Sequence, residues 1–113
     1  MSDHLGDGRA AFADGRHGEA LHAFGEHAAA FPEDPWGWHG RGDALQLLGS
    51  HADALEAYDA AVERAPRTGL HHAGRANSLR SLGRTSEAAE AVQQALRLDP
   101  SLTWLERDPH ADP

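Results

Sequence analysis

The residues of this chain best suited to chemistry are its nine histidines. A neutral imidazole is a metal ligand and a general base near neutral pH. A metal site built on helices needs His or carboxylate ligands three or four residues apart, with converging geometry. His17, His22 and His27 are spaced by five, which spreads them around a helix. His71 and His72 are adjacent and point apart. Glu19 and His22 form a lone pair three residues apart. No metal site and no cofactor are expected from this pattern. Catalytic motifs are also missing: there is no Ser-His-Asp arrangement and no HExxH segment. The glycines Gly37, Gly40 and Gly42 carry no following Lys-Ser or Lys-Thr, so they do not form a phosphate loop. The chain has no cysteine, which excludes disulfides, thiolate metal sites and Cys nucleophiles within it. The expectation is a protein that is not an enzyme.

Bulk composition narrows the partner classes. The chain has 113 residues, room for one domain. Its formal charge is −8, and every one of its 10 basic residues is Arg. Phosphate backbones and anionic lipid surfaces repel such a surface, so neither nucleic acid nor a membrane is expected as a partner. Protonating all nine histidines would carry the formal charge from −8 to +1, which removes colloidal repulsion in mild acid. The first residues, Met1-Ser2-Asp3-His4, hold neither a basic stretch nor an apolar run, so no signal peptide is expected. A cytoplasmic location is the default expectation.

The histidines and charged residues are positioned by a repeat. Gly15, Gly49 and Gly83 recur every 34 residues, as do Ala20, Ala54 and Ala88, and Pro32, Pro66 and Pro100. Gly6, Gly40 and Gly74 form another identical column. Phe24, Tyr58 and Val92 form a column of large residues. Within the middle unit, Asp34 is a plausible N-cap and Pro35 suits the first helical position. Gly49 ends that helix in the left-handed conformation of a C-cap. Ser50 and Asp53 signal a second start. Ala54, Leu55, Ala57, Tyr58, Ala61 and Val62 then follow helical spacing, and Pro66 stops the run. The same helix-turn-helix unit precedes it, at roughly Asp3 to Asp14 and His17 to Phe31, and follows it, at roughly Leu70 to Leu82 and Thr85 to Leu98.

This pattern closely resembles the tetratricopeptide repeat family over residues 1 to 100. Trp38 falls on the family's usual aromatic at the fourth position of the repeat, where His4 and His72 replace it. The family expectation is an all-α fold: a right-handed α-solenoid of three helix-turn-helix repeats with a short C-terminal capping helix. The chain then reads as one domain, 1–113, with repeats at 1–34, 35–68 and 69–102 and a cap and tail at 101–113. The departures Asp14 and His27 point to the first repeat as the loosest packed. Trp104 and Leu105 are expected to fold back over the last repeat, with Ser101 capping their short helix, Asp108-Pro109 ending it and His110 to Pro113 frayed.

The resemblance also implies a binding face. In the family, the first helix of each repeat lines a concave groove that holds a protein or peptide. Carried over, the lining is Leu5, Arg9 and Phe12; then Trp36, His39, Asp43 and Gln46; then Leu70, Asn77 and Arg80. Arg9, Asp43 and Asn77 would stack as a polar row able to bind peptide amides and carboxylates. Gly6, Gly40 and Gly74 would form a bare strip open to a ligand backbone. Some members clamp chaperone C-terminal carboxylates, but the matching positions here are Leu5, Arg9, Gly40, Leu70 and Gly74, which lack that clamp. The expected function is a non-catalytic protein-interaction scaffold whose partner is a protein or peptide. The alternative is a homo-oligomer assembled through the repeats or the Leu102, Trp104, Leu105 cluster.

Overall fold

The computed structural model describes residues 3–106. Six helices run antiparallel in sequence as a right-handed α-solenoid: α1 (His4–Ala13), α2 (His17–Ala30), α3 (Pro35–Leu47), α4 (His51–Arg64), α5 (Gly69–Ser81) and α6 (Thr85–Leu98), followed by a 3-10 turn, η1 (Thr103–Glu106). None of these helices is long and apolar enough to cross a membrane. The elements 108–109 and 110–113 anticipated from sequence lie outside the described residues.

The helix ends follow local chemistry, with one correction. Asp34 accepts a hydrogen bond from the Trp36 amide at 3.0 Å, and Pro35 opens α3. Asp3 caps α1 in the same way through the Gly6 amide, at 2.9 Å. Ser50 does stand at the start of α4, but its hydroxyl makes no capping bond there. The turns within each repeat are identical. Gly49 has φ 82°, and the Ser50 amide reaches back to the Leu45 carbonyl at 2.9 Å. Gly15 and Gly83 repeat this geometry, with Arg16 bonded to Ala11 and Arg84 to Leu79. These are Schellman closures, which need a residue free to adopt positive φ.

Large and small residues alternate along the core. Phe24 is clamped between Gly8 of its own repeat and Gly40 of the next; an added Cβ would meet its ring at 2.6 Å and 2.5 Å. Tyr58 sits likewise between Gly42 and Gly74. Gly40 and Gly74 are therefore buried against aromatic rings and do not form the open strip anticipated from sequence. Gly6 instead packs against the Asp3 side chain that caps its helix. The small columns Ala20, Ala54 and Ala88 are buried, as expected for closely approaching helices. Helix α1 buries only Gly8 and Ala11, whereas α5 buries seven residues, so the first repeat is the thinnest.

A further tie fixes each joint between repeats. Trp38 donates its indole N–H to the Pro32 carbonyl at 3.0 Å. His72, one period later, donates Nε2–H to the Pro66 carbonyl at 2.8 Å. The Arg64 guanidinium lies 4.8 Å from the Trp38 ring centre and also donates to Pro32. At the C-terminal end, Leu102 and Leu105 are buried in one cluster with Leu79, Val92 and Ala95. Trp104 does not join them and is 49% exposed. The cap is thus made by the two leucines, and Asp99, rather than Ser101, holds its start by accepting from the Ser101 amide and hydroxyl.

Candidate functional site

Helices α1, α3 and α5 form one layer of the solenoid, and α2, α4 and α6 the other. Charge divides between the layers. The first layer carries four arginines and two aspartates; the second carries eight acidic residues and two arginines. The layer of α1, α3 and α5 is therefore the less acidic of the two, with Arg75 paired to Asp59 of α4 and Arg41 beside Asp53 and Glu56.

A pocket of about 230 Å³ opens on that face, lined by Arg9, Phe12, Trp36, His39 and Asp43 over a floor of Phe24 and Gly40. Five of the sequence-derived groove residues thus converge. Arg9 is exposed and, among the described residues, has no carboxylate partner. Phe12 leans on His17, with ring centres 5.5 Å apart. Trp36 meets His39 and His71 edge-on, at 5.4 and 4.7 Å.

The remaining groove residues divide by the partners they find. The Tyr58 hydroxyl donates to Asp43 Oδ1 at 2.6 Å, and His39 Nε2 lies 3.5 Å from Asp43 Oδ2. Asp43 therefore lines the pocket with Arg9 while its carboxylate is also held by Tyr58 and His39. Burial pushes its carboxyl above the usual range, opposed by the Tyr58 hydrogen bond. Burial and the Asp43 charge push the Tyr58 hydroxyl up as well. Gln46 spans to α5, donating to Ser81 Oγ at 2.7 Å and accepting from Ser78 Oγ at 3.0 Å. Arg80 donates to the Leu105 carbonyl and so holds η1 in place. Leu70 is 40% exposed. Asn77 is half-buried, and its carbonyl accepts from Ser81.

Sequence reasoning missed His71. This residue is fully buried, and its Nδ1 sits 2.9 Å from His39 Nδ1. Burial, with the charges of His39 and His72, pushes His71 down to about 4. Burial and the Arg9 charge push His39 down to about 4. Both rings are therefore neutral at physiological pH. The signal for His71 was its register: it falls on the column of Gly37, which is also buried. Among the described residues no three His, Cys, Asp or Glu side chains are grouped to hold a metal ion. The other histidines take separate roles, His27 pairing with Asp34 at 2.7 Å and His22 lying 3.9 Å from Glu26.

Comparison with curated proteins finds no match. Solved structures do match. The first TPR domain of Spaghetti (RPAP3), bound to the HSP90 peptide SRMEEVD, superimposes with a TM-score of 0.88 at 21% identity, over 91% of this chain and 84% of that one. The Arabidopsis OM64 TPR domain gives 0.88 at 19% identity, over 91% and 85%. The TPR2B domain of yeast Sti1, in its pHsp70 complex, gives 0.81 at 24% identity, over 86% and 78%. The tetratricopeptide repeat profile matches residues 5–67 and again 39–103. With the profile covering nearly all of the described residues and the same helix pair and glycine turn in each period, the chain belongs to the tetratricopeptide repeat family.

Proposed function

We propose that the chain is a protein-interaction module that holds a peptide or protein segment against the face of α1, α3 and α5, without catalysis or a cofactor. The observation that carries this reading is the pocket in which Arg9, Phe12, Trp36, His39 and Asp43 meet. It joins aromatic walls to an unpaired guanidinium, the combination that anchors binding hot spots. Likeness of fold to domains solved with an HSP90 peptide and in a pHsp70 complex supports a role in holding a peptide or protein. The Tyr58–Asp43–His39–His71 chain resembles an acid–base relay, but it lies at the repeat joint and serves packing.

The test compares three immobilised baits in one lysate. These are the parent, an inner-face variant (Arg9→Glu with Trp36→Ala) and an outer-face variant (Glu56→Gln with Glu90→Gln). A protein retained by the parent and the outer-face variant, and lost from the inner-face variant, supports the groove. Loss only from the outer-face variant moves the site to the acidic layer. The exposed Trp104 favours a second reading, self-association through the C-terminal end. Recovery of the bait alone, with light scattering that rises with concentration and falls back for Trp104→Ala, would support it instead.

A further inference from the structure

The turn η1 begins at the register of α3 and α5: Thr103 follows Gly69 by 34 residues, as Gly69 follows Pro35. Leu105 falls on the buried column of Gly37 and His71, and it too is buried. The Arg80 bond to the Leu105 carbonyl seats η1 beside α5. The turn therefore occupies the place where a fourth inner helix would start. Trp104 then continues a column of Trp36 and Leu70. Leu70 and Trp104 are exposed apolar side chains, at 40% and 49%, and Trp36, at the same register one repeat before Leu70, is half-buried.

We infer that this column is a docking row for an extended acidic segment carrying an apolar side chain at every third residue. The inference rests on the groove reading and names the class of its ligand. Packed helices lie about 8–10 Å apart, which sets the step from Trp36 on α3 to Leu70 on α5, and the shared register continues the column to Trp104 on η1. A polyproline II segment advances about 3.1 Å per residue with three residues per turn, so every third side chain returns to the same face after about 9 Å. Its apolar side chains would meet Trp36, Leu70 and Trp104 in turn. Tryptophan rings present flat apolar area to such a ligand at low entropic cost.

Charge fixes the rest of the ligand. On this face the Asp43 carboxylate is engaged by Tyr58, while neither Arg9 nor Arg80 has a carboxylate partner among the described residues, Arg80 donating to a main-chain carbonyl. Acidic residues between the apolar ones complement that surface, and the acidic outer layer repels the same segment from the opposite side. No C-terminal carboxylate is required, because the row reads side chains.

The test is selection from a random peptide library displayed against the intact chain. Expected winners have net negative charge and apolar residues spaced by three, and they bind more weakly as salt is raised. Trp104→Ala and Trp36→Ala should each weaken them by about tenfold, with circular dichroism confirming an unchanged fold. Winners that depend on Arg9 and Trp36 but show neither acidity nor the spacing overturn this inference and leave the groove reading standing. Winners indifferent to Arg9→Glu, Trp36→Ala and Trp104→Ala overturn both. Absence of any winner overturns the inference, and the bait comparison above then decides the groove reading separately.

Discussion

His39 and His71 face each other through Nδ1 at 2.9 Å, one ring from each of two adjacent repeats. Only one proton fits between two such nitrogens, so one ring donates and the other accepts. Placing His39 Nε2–H toward Asp43 Oδ2 leaves its Nδ1 as the acceptor and makes His71 the donor. The pair is then a neutral link across the α3–α5 joint, and protonating both rings breaks it.

Acid should therefore loosen the joint. Both folded-state values lie near 4, below the ordinary value of 6.5. The unfolded chain then binds more protons in that interval. Stability from the pair is complete above pH 6.5 and is lost as pH falls toward 4. The raised Asp43 carboxyl works in the opposite sense at the acidic end of this window, but it is one group against two. Urea midpoints measured from pH 7.5 down to 4.5 should fall steadily. A His71→Gln variant should show a shallower slope, whatever its stability at neutral pH. Equal slopes for parent and variant would remove the pair from the account.

Glycines that look alike in sequence should respond in opposite ways to alanine. Gly25, inside α2, has open space where a Cβ would go, and a helical Gly→Ala change gains about 0.5–1 kcal/mol. At Gly40 the same Cβ would lie 2.5 Å from the Phe24 ring, with the ring buried and unable to yield freely. Overpacking of that kind costs about 1–3 kcal/mol. Thermal melts of Gly25→Ala and Gly40→Ala should move to either side of the parent. A rise for both would mean that the repeats pack more loosely than the Phe24 clamp requires.

Asp43 is an unsuitable neutral probe of the groove, because the carboxylate that lines the pocket is also a hydrogen-bond acceptor for the core. Its carboxylate accepts from Tyr58, which is 2% exposed. Tyr58→Phe leaves that carboxylate with a lost partner and should cost about 1–3 kcal/mol. Asp43→Ala should cost a similar amount by stranding the hydroxyl. The two losses should not add in the double variant, since they break one bond. Additive losses in denaturant titrations would show that each side chain contributes separately.

The repeat was legible because its columns are set by backbone need and by volume. Gly49 must take positive φ, and Ala54 must let two helices touch, so neither depends on a distant partner. Side-chain pairings between repeats were much less legible. The volume exchange at His27 and Gly37 shows why: the histidine ring reaches over the glycine, 2.8 Å from a would-be Cβ. Read alone, His27 is a departure from the alanines Ala61 and Ala95 of the later repeats. His39 does line the groove, but its second role is hidden from sequence because its partner His71 stands 32 positions away. Arg80 also fitted the groove pattern, and its actual acceptor is a main-chain carbonyl that no side-chain pattern marks. Trp104 lay next to a residue that does cap the core, but the two point differently within a single turn.

Trp38 and His72 lead to the final expectation. Each donates a ring N–H to the proline carbonyl that closes the preceding repeat. The histidine is thus a functional replacement for the tryptophan, through its donor and not through its size. His72→Phe keeps an aromatic ring but removes the donor, and should cost about 0.5–1.5 kcal/mol. His72→Trp restores the donor and adds apolar area, at a register where Leu98 stands in place of Arg64. It should match or exceed the parent in thermal midpoint. Ranking the three by calorimetry separates the two contributions. If Phe equals Trp, ring area governs the joint; if Phe alone falls, the bond to Pro66 does.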